Sequence, residues 1–142
     1  MTAEGQFVRG DVWSVDFGAD PEHPEQAFRR PALIVSDDRL HHPNLRMVIV
    51  VPGTSTIRSV PLHVVVEPDD GIGLIVATAF QVEQVRAVSV ARLVERLGRL
   101  DPVNRHAIDE ILRNALSLYW CGDSGVCRFA NGLLTAASGS KR

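Results

Sequence analysis

The sequence predicts a mostly β domain, α+β in class: short antiparallel strands curling into a small barrel or strongly bent sheet, with one C-terminal helix packed on them. Three observations predict it. Six or so short runs rich in β-branched and aromatic residues are separated by Gly, Pro, Asp and Ser. Only one segment, after Asp101, carries helical periodicity. Strands do not alternate with helices, which argues against a doubly wound parallel sheet.

The elements follow in order. Asp11–Phe17 (DVWSVDF) is rich in β-formers and reads as the first strand. Gly18–Arg30 carries Pro21, Pro24, Asp20, Glu22 and Glu25, a long polar loop of a kind that is usually functional or disordered. Pro31–Ser36 is an apolar run with its proline at the first position, where a strand tolerates it. Asp37–Asn44 reads as a turn or one short helical turn, with His41 and His42 as solvated turn residues. Leu45–Pro52 is almost continuously apolar and predicts a central buried strand. Gly53–Ser59 is a hydroxyl-rich loop. Val60–Glu67 is a further strand, with His63 as a sheet-face histidine holding a hydrogen-bond partner. Pro68–Gly73 contains Asp-Asp-Gly and turns the chain. Leu74–Phe80 and Gln84–Val88 read as short strands, and Arg92–Leu100 as a strand or helical turn.

The helix is the clearest element. Asp101 suits an N-cap and Pro102 the first helical position. Ile108, Ile111, Leu112, Ala115, Leu116 and Tyr119 share one face, and Gly122 is the expected stop. Residues 1–120 are expected to form a single domain, and 121–142 a Gly/Ser/Ala-containing tail that frays at its end.

Composition excludes several classes. The chain has 142 residues and a net charge of −2, which fits one domain and argues against a polycation gripping nucleic acid by bulk charge. Hydrophobic residues at 45% supply a packed core. No apolar run is long enough to span a membrane and the N-terminus carries no apolar signal core, so a cytoplasmic location is expected. Cys121 and Cys127 make no disulfide framework and lack the partners a structural zinc needs, so no metal is expected. Neither nucleotide-cradling glycine loops nor the common hydrolase motifs appear, and no cofactor is expected.

Two segments have useful chemistry. Arg29 and Arg30 stand where the long loop enters a buried strand, and Pro31 biases Arg30 toward an extended backbone. Two guanidiniums so held are placed to meet an anion, although they would equally balance the acidic loop before them. Gly53-Thr54-Ser55-Thr56-Ile57-Arg58 leaves the central strand with three hydroxyls, an Arg and a Gly. That set suits phosphate contacts, and equally an ordinary Ser/Thr turn. From Phe28 to His63, five Arg face two Asp, a local excess of +3 in a −2 chain.

In order along the chain, these residues resemble the MazF/PemK toxins of bacterial toxin–antitoxin systems. Arg9-Gly10-Asp11-Val12-Trp13, Val15-Asp16-Phe17 and Arg30-Pro31-Ala32-Leu33-Ile34-Val35-Ser36 begin the resemblance. Val50-Val51-Pro52-Gly53-Thr54-Ser55, Pro61-Leu62-His63-Val64, Glu83-Gln84-Val85-Arg86 and Arg92-Leu93 continue it. Gly98-Arg99-Leu100 and Ile108-Asp109-Glu110-Ile111-Leu112 complete it over roughly residues 8 to 120.

The resemblance implies an SH3-like small barrel and a homodimer. It implies a sequence-specific, metal-independent endoribonuclease that cleaves single-stranded RNA, inhibits translation and growth, and is neutralised by a cognate antitoxin. The family's catalytic Arg and Thr fall on Arg30 and Thr54. RNA contacts are expected from Arg29, Ser55, Thr56, Arg58, Glu83, Gln84 and Arg86, with Trp13, Phe17 or Phe28 available for stacking. Trp13 and Phe17 equally suit the core, and Arg86 an intramolecular pair. The alternative is a non-catalytic nucleic-acid-binding barrel, or a gyrase inhibitor like the CcdB toxins, which resemble this family in fold. Two departures stand out. Gly53 replaces a larger side chain common before the Thr, which would loosen or reshape the loop. The Gly18–Arg29 loop also lacks the usual Gly-Gly.

Overall fold

The computed structural model describes residues 7–18 and 28–118, and the backbone of 126–129 and 132–135. The strands are β1 (Asp11–Asp16), β2 (Arg29–Ile34), β3 (Met47–Thr54), β4 (His63–Val66), β5 (Thr78–Gln81), β6 (Arg86–Ser89) and β7 (Leu93–Arg99). Helix α1 (Pro102–Ala115) follows, then a hairpin of β8 (Val126–Phe129) and β9 (Gly132–Thr135). Every ladder is antiparallel. The main sheet runs β4-β5-β3-β2-β1-β7, with β6 on β3.

The sheet forks at β3. Met47–Val50 pair with β6, whereas Gly53 and Thr54 pair with Phe80 and Ala79 of β5. The change of partner falls at Val51 and Pro52, and Pro52 has no N–H to give a ladder. Alternating side chains then feed two cores. Trp13, Val15, Ala32, Ile34, Val48 and Val50 lie on one face. Val12, Leu33, Val51, Phe80 and Val82 lie on the other, joined by Ile108 of α1. A mostly antiparallel sheet with a C-terminal helix is as the sequence predicts. Among the described residues no ladder joins β4 to β7, so the sheet is not closed into a full barrel.

Several element bounds differ from the sequence reading for physical reasons. β3 continues past Pro52 through Thr54, because β5 supplies a partner there. β4 starts only at His63, after a turn at Pro61-Leu62. A bridge from Asp69 to Leu74 keeps Leu74 out of β5, and Leu74 instead packs beside Ile72 in the second core. Of Arg92–Leu100, which reads as a strand or helical turn, Leu93–Arg99 form the strand β7. Asp101 caps α1 through the Asn104 N–H at 3.0 Å, with Pro102 in the first turn. The helix ends before the expected Gly122. Ser117 takes the left-handed conformation (φ 55°), and the Ser117 and Leu118 N–H groups donate to the Asn114 and Arg113 carbonyls. Tyr119, Cys121, Gly122, the loop at 19–27 and the chain end at 136–142 lie outside the described residues.

His41 overturns the expectation of a solvated turn histidine. Its side chain is 6% exposed, its Nε2 lies 2.7 Å from Ser36 Oγ, and its ring packs 4.7 Å from that of Phe7. Burial pushes its pKa down, against the opposing pull of Asp38 and Asp37. Between its lowered folded value and the ordinary histidine value near 6.5, the unfolded chain binds the extra proton. Stability is therefore fully present above about pH 6.5 and falls as the pH drops through that window. Denaturant midpoints measured from pH 7.5 down to 5 should fall more steeply for wild type than for His41→Gln. Parallel curves would show that burial of this ring does not couple folding to protons.

Candidate active site

Sheet register brings the central pair together. Arg30 stands opposite Val15 of β1, and Ala32 opposite Pro52 of β3. Continuing the β2–β3 register by two residues sets Arg30 level with Thr54. The Arg30 Nη1 points at Thr54 Oγ1 across 3.5 Å, a long contact. Thr54 is 7% exposed and its Oγ1 accepts the Thr56 N–H at 3.1 Å. Both contacts use the oxygen's lone pairs, not its proton. Strand β2 thus presents a half-buried guanidinium beside an oriented hydroxyl, although the two are 24 positions apart.

Gly53 explains why the hydroxyl is held where it is. A Cβ there would stand 2.5 Å from Thr78 Cγ2 and 3.3 Å from the Pro31 carbonyl oxygen. The space is filled from the other side by Thr78, which is 2% exposed and donates to the Val76 carbonyl at 3.1 Å. Replacement of a larger residue by Gly at this position therefore leaves no slack around Thr54.

The residues around the pair divide clearly. Phe28 is 53% exposed at a left-handed backbone (φ 66°). Its N–H and C=O bond to Gly18 and Phe17, which pins the base of the long loop just before Arg29 and Arg30. Arg29 is exposed on β2, and Ser55, Thr56 and Arg58 are exposed in the segment leaving β3. Trp13 and Phe17 are core residues. The Arg86 guanidinium lies 5.5 Å from the Phe17 ring, a cation–π contact that orients it. Glu83, Gln84, Val85 and Arg86 line an open cleft of about 310 Å³. His63 is the buried partner of Glu83, its Nε2 2.5 Å from Glu83 Oε1. Sequence reasoning gave His63 a partner without finding which, and it missed Thr78. A β-branched residue facing a glycine on the next strand is visible only once the register is known. Among the described residues no group of three or more His, Cys, Asp or Glu is gathered to hold a metal ion.

Residues 8–116 match the family of PemK-like, MazF-like toxins of type II toxin–antitoxin systems, and the chain belongs to that family. It is 34% identical over 116 residues to Endoribonuclease MazF9 of Mycobacterium tuberculosis, covering 78% of this chain and 97% of that one. It is 34% identical over 124 residues to the endoribonuclease toxin ChpB of Escherichia coli, covering 82% and 93%. A mycobacterial endoribonuclease solved in complex with its cognate antitoxin superimposes with a TM-score of 0.64 at 25% identity, covering 80% and 98%. MazF from Deinococcus radiodurans does so at 0.68 and 21%, covering 79% and 97%, a likeness of fold.

Proposed function

We propose that the chain is an endoribonuclease toxin that cuts single-stranded RNA at a short preferred sequence without a metal ion. By cutting RNA it inhibits translation and growth, in the cytoplasm, until a cognate antitoxin protein covers the site. Membership of the toxin family and the endoribonuclease relatives support the activity. The neighbour solved with its antitoxin supports the partner. Among the described residues no helix is long and apolar enough to cross a membrane.

The observation that carries the mechanism is the placement of the Arg30 guanidinium beside the Thr54 hydroxyl. RNA brings its own nucleophile. Its 2′-OH attacks the adjacent phosphorus, the bond to the 5′-oxygen breaks, and a cyclic phosphate remains on the first fragment. The enzyme's task is alignment plus stabilisation of negative charge on the phosphorane oxygens. Arg30 supplies the charge and, as the 2′-OH proton passes to solvent water, gives a proton to the leaving 5′-oxygen and regains one from solvent. A guanidinium offers only donors, so Arg30 does not serve as the base. Thr54 donates its hydroxyl proton to a phosphate oxygen. Arg29, Ser55, Thr56, Arg58 and Arg86 extend the phosphate contacts, Phe28 offers a stacking face, and Glu83 and Gln84 form the base-reading side. A non-catalytic or gyrase-directed barrel needs neither Arg30 nor Thr54.

The reading includes a homodimer, as expected of a member of this toxin family. A single-chain mass in solution at every concentration would remove that part. The test of the activity is a long mixed-sequence RNA incubated with the protein in EDTA, with the cut sites mapped. Cuts at one short motif are expected. Intact RNA beside folded protein would sink the proposal.

A further inference from the structure

We propose that His63 is a positioning residue that turns Glu83 into a one-oxygen reader of an exocyclic amino group. The base it selects carries such a group at C4 of a pyrimidine or C6 of a purine, cytosine or adenine, close to the cut phosphate. The inference rests on the ribonuclease reading and names a specificity device within it.

The register places the pair beside the candidate active site. Thr54 pairs with Ala79, and two residues on along β5 Gln81 pairs with His63 of β4. Side chains alternate along a strand, so Thr54, Ala79, Gln81 and His63 share one face. Two strand spacings and one two-residue step separate Thr54 from His63, roughly 12 Å. The turn bearing Glu83 is also pinned to that strand, since the Val82 N–H donates to the Leu62 carbonyl at 3.1 Å.

The side chains then divide their duties. His63 is 4% exposed at its side chain and Glu83 33%, so the histidine is the anchor and the carboxylate the presented group. The contact of His63 Nε2 with Glu83 Oε1 at 2.5 Å occupies one carboxylate oxygen. The other ring nitrogen, Nδ1, is buried and has no hydrogen-bond partner among the described residues. Buried polar atoms are normally satisfied on both sides. Among the described residues the Glu83 contact is thus the one hydrogen bond this ring makes, which ties its anchoring role to Glu83. One fixed acceptor oxygen remains at the cleft shared with Gln84 and Arg86. A single acceptor fits the N4 amine of cytosine or the N6 amine of adenine. Uracil presents a carbonyl at the equivalent position and sets lone pair against lone pair. Guanine offers two adjacent donors that suit a carboxylate with both oxygens available.

The experiment uses single-stranded RNAs built on the wild-type cut site, each flanking position varied through A, C, G and U. Wild type should favour C or A over U at one position by roughly tenfold to a hundredfold in kcat/KM. Glu83→Gln, whose amide both donates and accepts, should flatten that preference at the same position and leave the others intact. His63→Leu should weaken the preference there chiefly through KM, and His63→Gln, which keeps an N–H donor, should restore part of it. Wild type that cuts with an unchanged preference in Glu83→Gln overturns this inference alone. A uniform loss at all positions in Glu83→Gln also overturns it, since that marks a role in the cutting step. Wild type that cuts nothing overturns the ribonuclease reading and this inference with it. If His63→Leu fails to fold, the Glu83→Gln result still decides.

Discussion

Arg30→Ala is expected to lower RNA cutting by about a hundredfold to a thousandfold while the chain keeps its fold, because removal of one preorganised charge stabiliser typically costs that much. The fold argument is local. Arg30 is half-buried on β2, and the apolar residues that seat this strand in the two cores begin at Ala32. Arg30→Lys should recover only part of the rate. A point charge on a flexible stem replaces a planar fork that can hold two phosphate oxygens at once. Thr54→Val should cost less, about tenfold to a hundredfold, the worth of one hydrogen bond to a charged oxygen. Its effect is the more direct probe of positioning, because the hydroxyl is already oriented by the Thr56 N–H before substrate arrives. Single-turnover cutting in EDTA, with circular dichroism and melting on each variant, checks all three. Arg30→Ala protein that cuts within a factor of two of wild type would remove the guanidinium from the mechanism and leave the proposed function without its charge stabiliser.

Much of the sheet was legible because its strands obey short-range rules. The run Leu45–Pro52 announced a central strand, and β3 is the strand at which the sheet forks, pairing with β2, β5 and β6. The helix start was legible to the residue, since Asp101 and Pro102 act through bonds three residues away or fewer. Its end was not, because Ser117 performs the left-handed turn usually left to glycine. The failure of closure was equally illegible, since strand inventory does not say which edges meet. At the site, the segments bearing Arg30 and Thr54 could be nominated from their chemistry, and the family resemblance picked out the two residues. Their meeting depends on a β2–β3 register that no local pattern encodes. The same holds for His41, whose burial comes from Phe7, more than thirty positions away.

Gly53 is where sequence and structure disagree most usefully, and the last prediction turns on it. Read alone, glycine before Thr54 suggests a loosened loop. In the fold, Thr78 Cγ2 already occupies the volume a side chain would need. Gly53→Ala should therefore destabilise the chain by roughly 1–3 kcal/mol, the usual cost of forcing a methyl into packed space. It should also slow cutting, since a shift of Thr54 by about 1 Å is enough to cost a hundredfold in a preorganised site. Thr78→Ser removes the colliding methyl and keeps the hydroxyl that bonds Val76, so it should cost only about 1 kcal/mol alone. The double variant should then be more stable than Gly53→Ala and recover most of the lost rate, a favourable coupling of about 0.5–3 kcal/mol between contacting residues. Denaturant midpoints and cutting rates on the four proteins measure both quantities in one cycle. If the two changes simply add, the glycine is not matched to Thr78, and the hydroxyl of Thr54 owes its position to the Thr56 contact and β5 pairing instead.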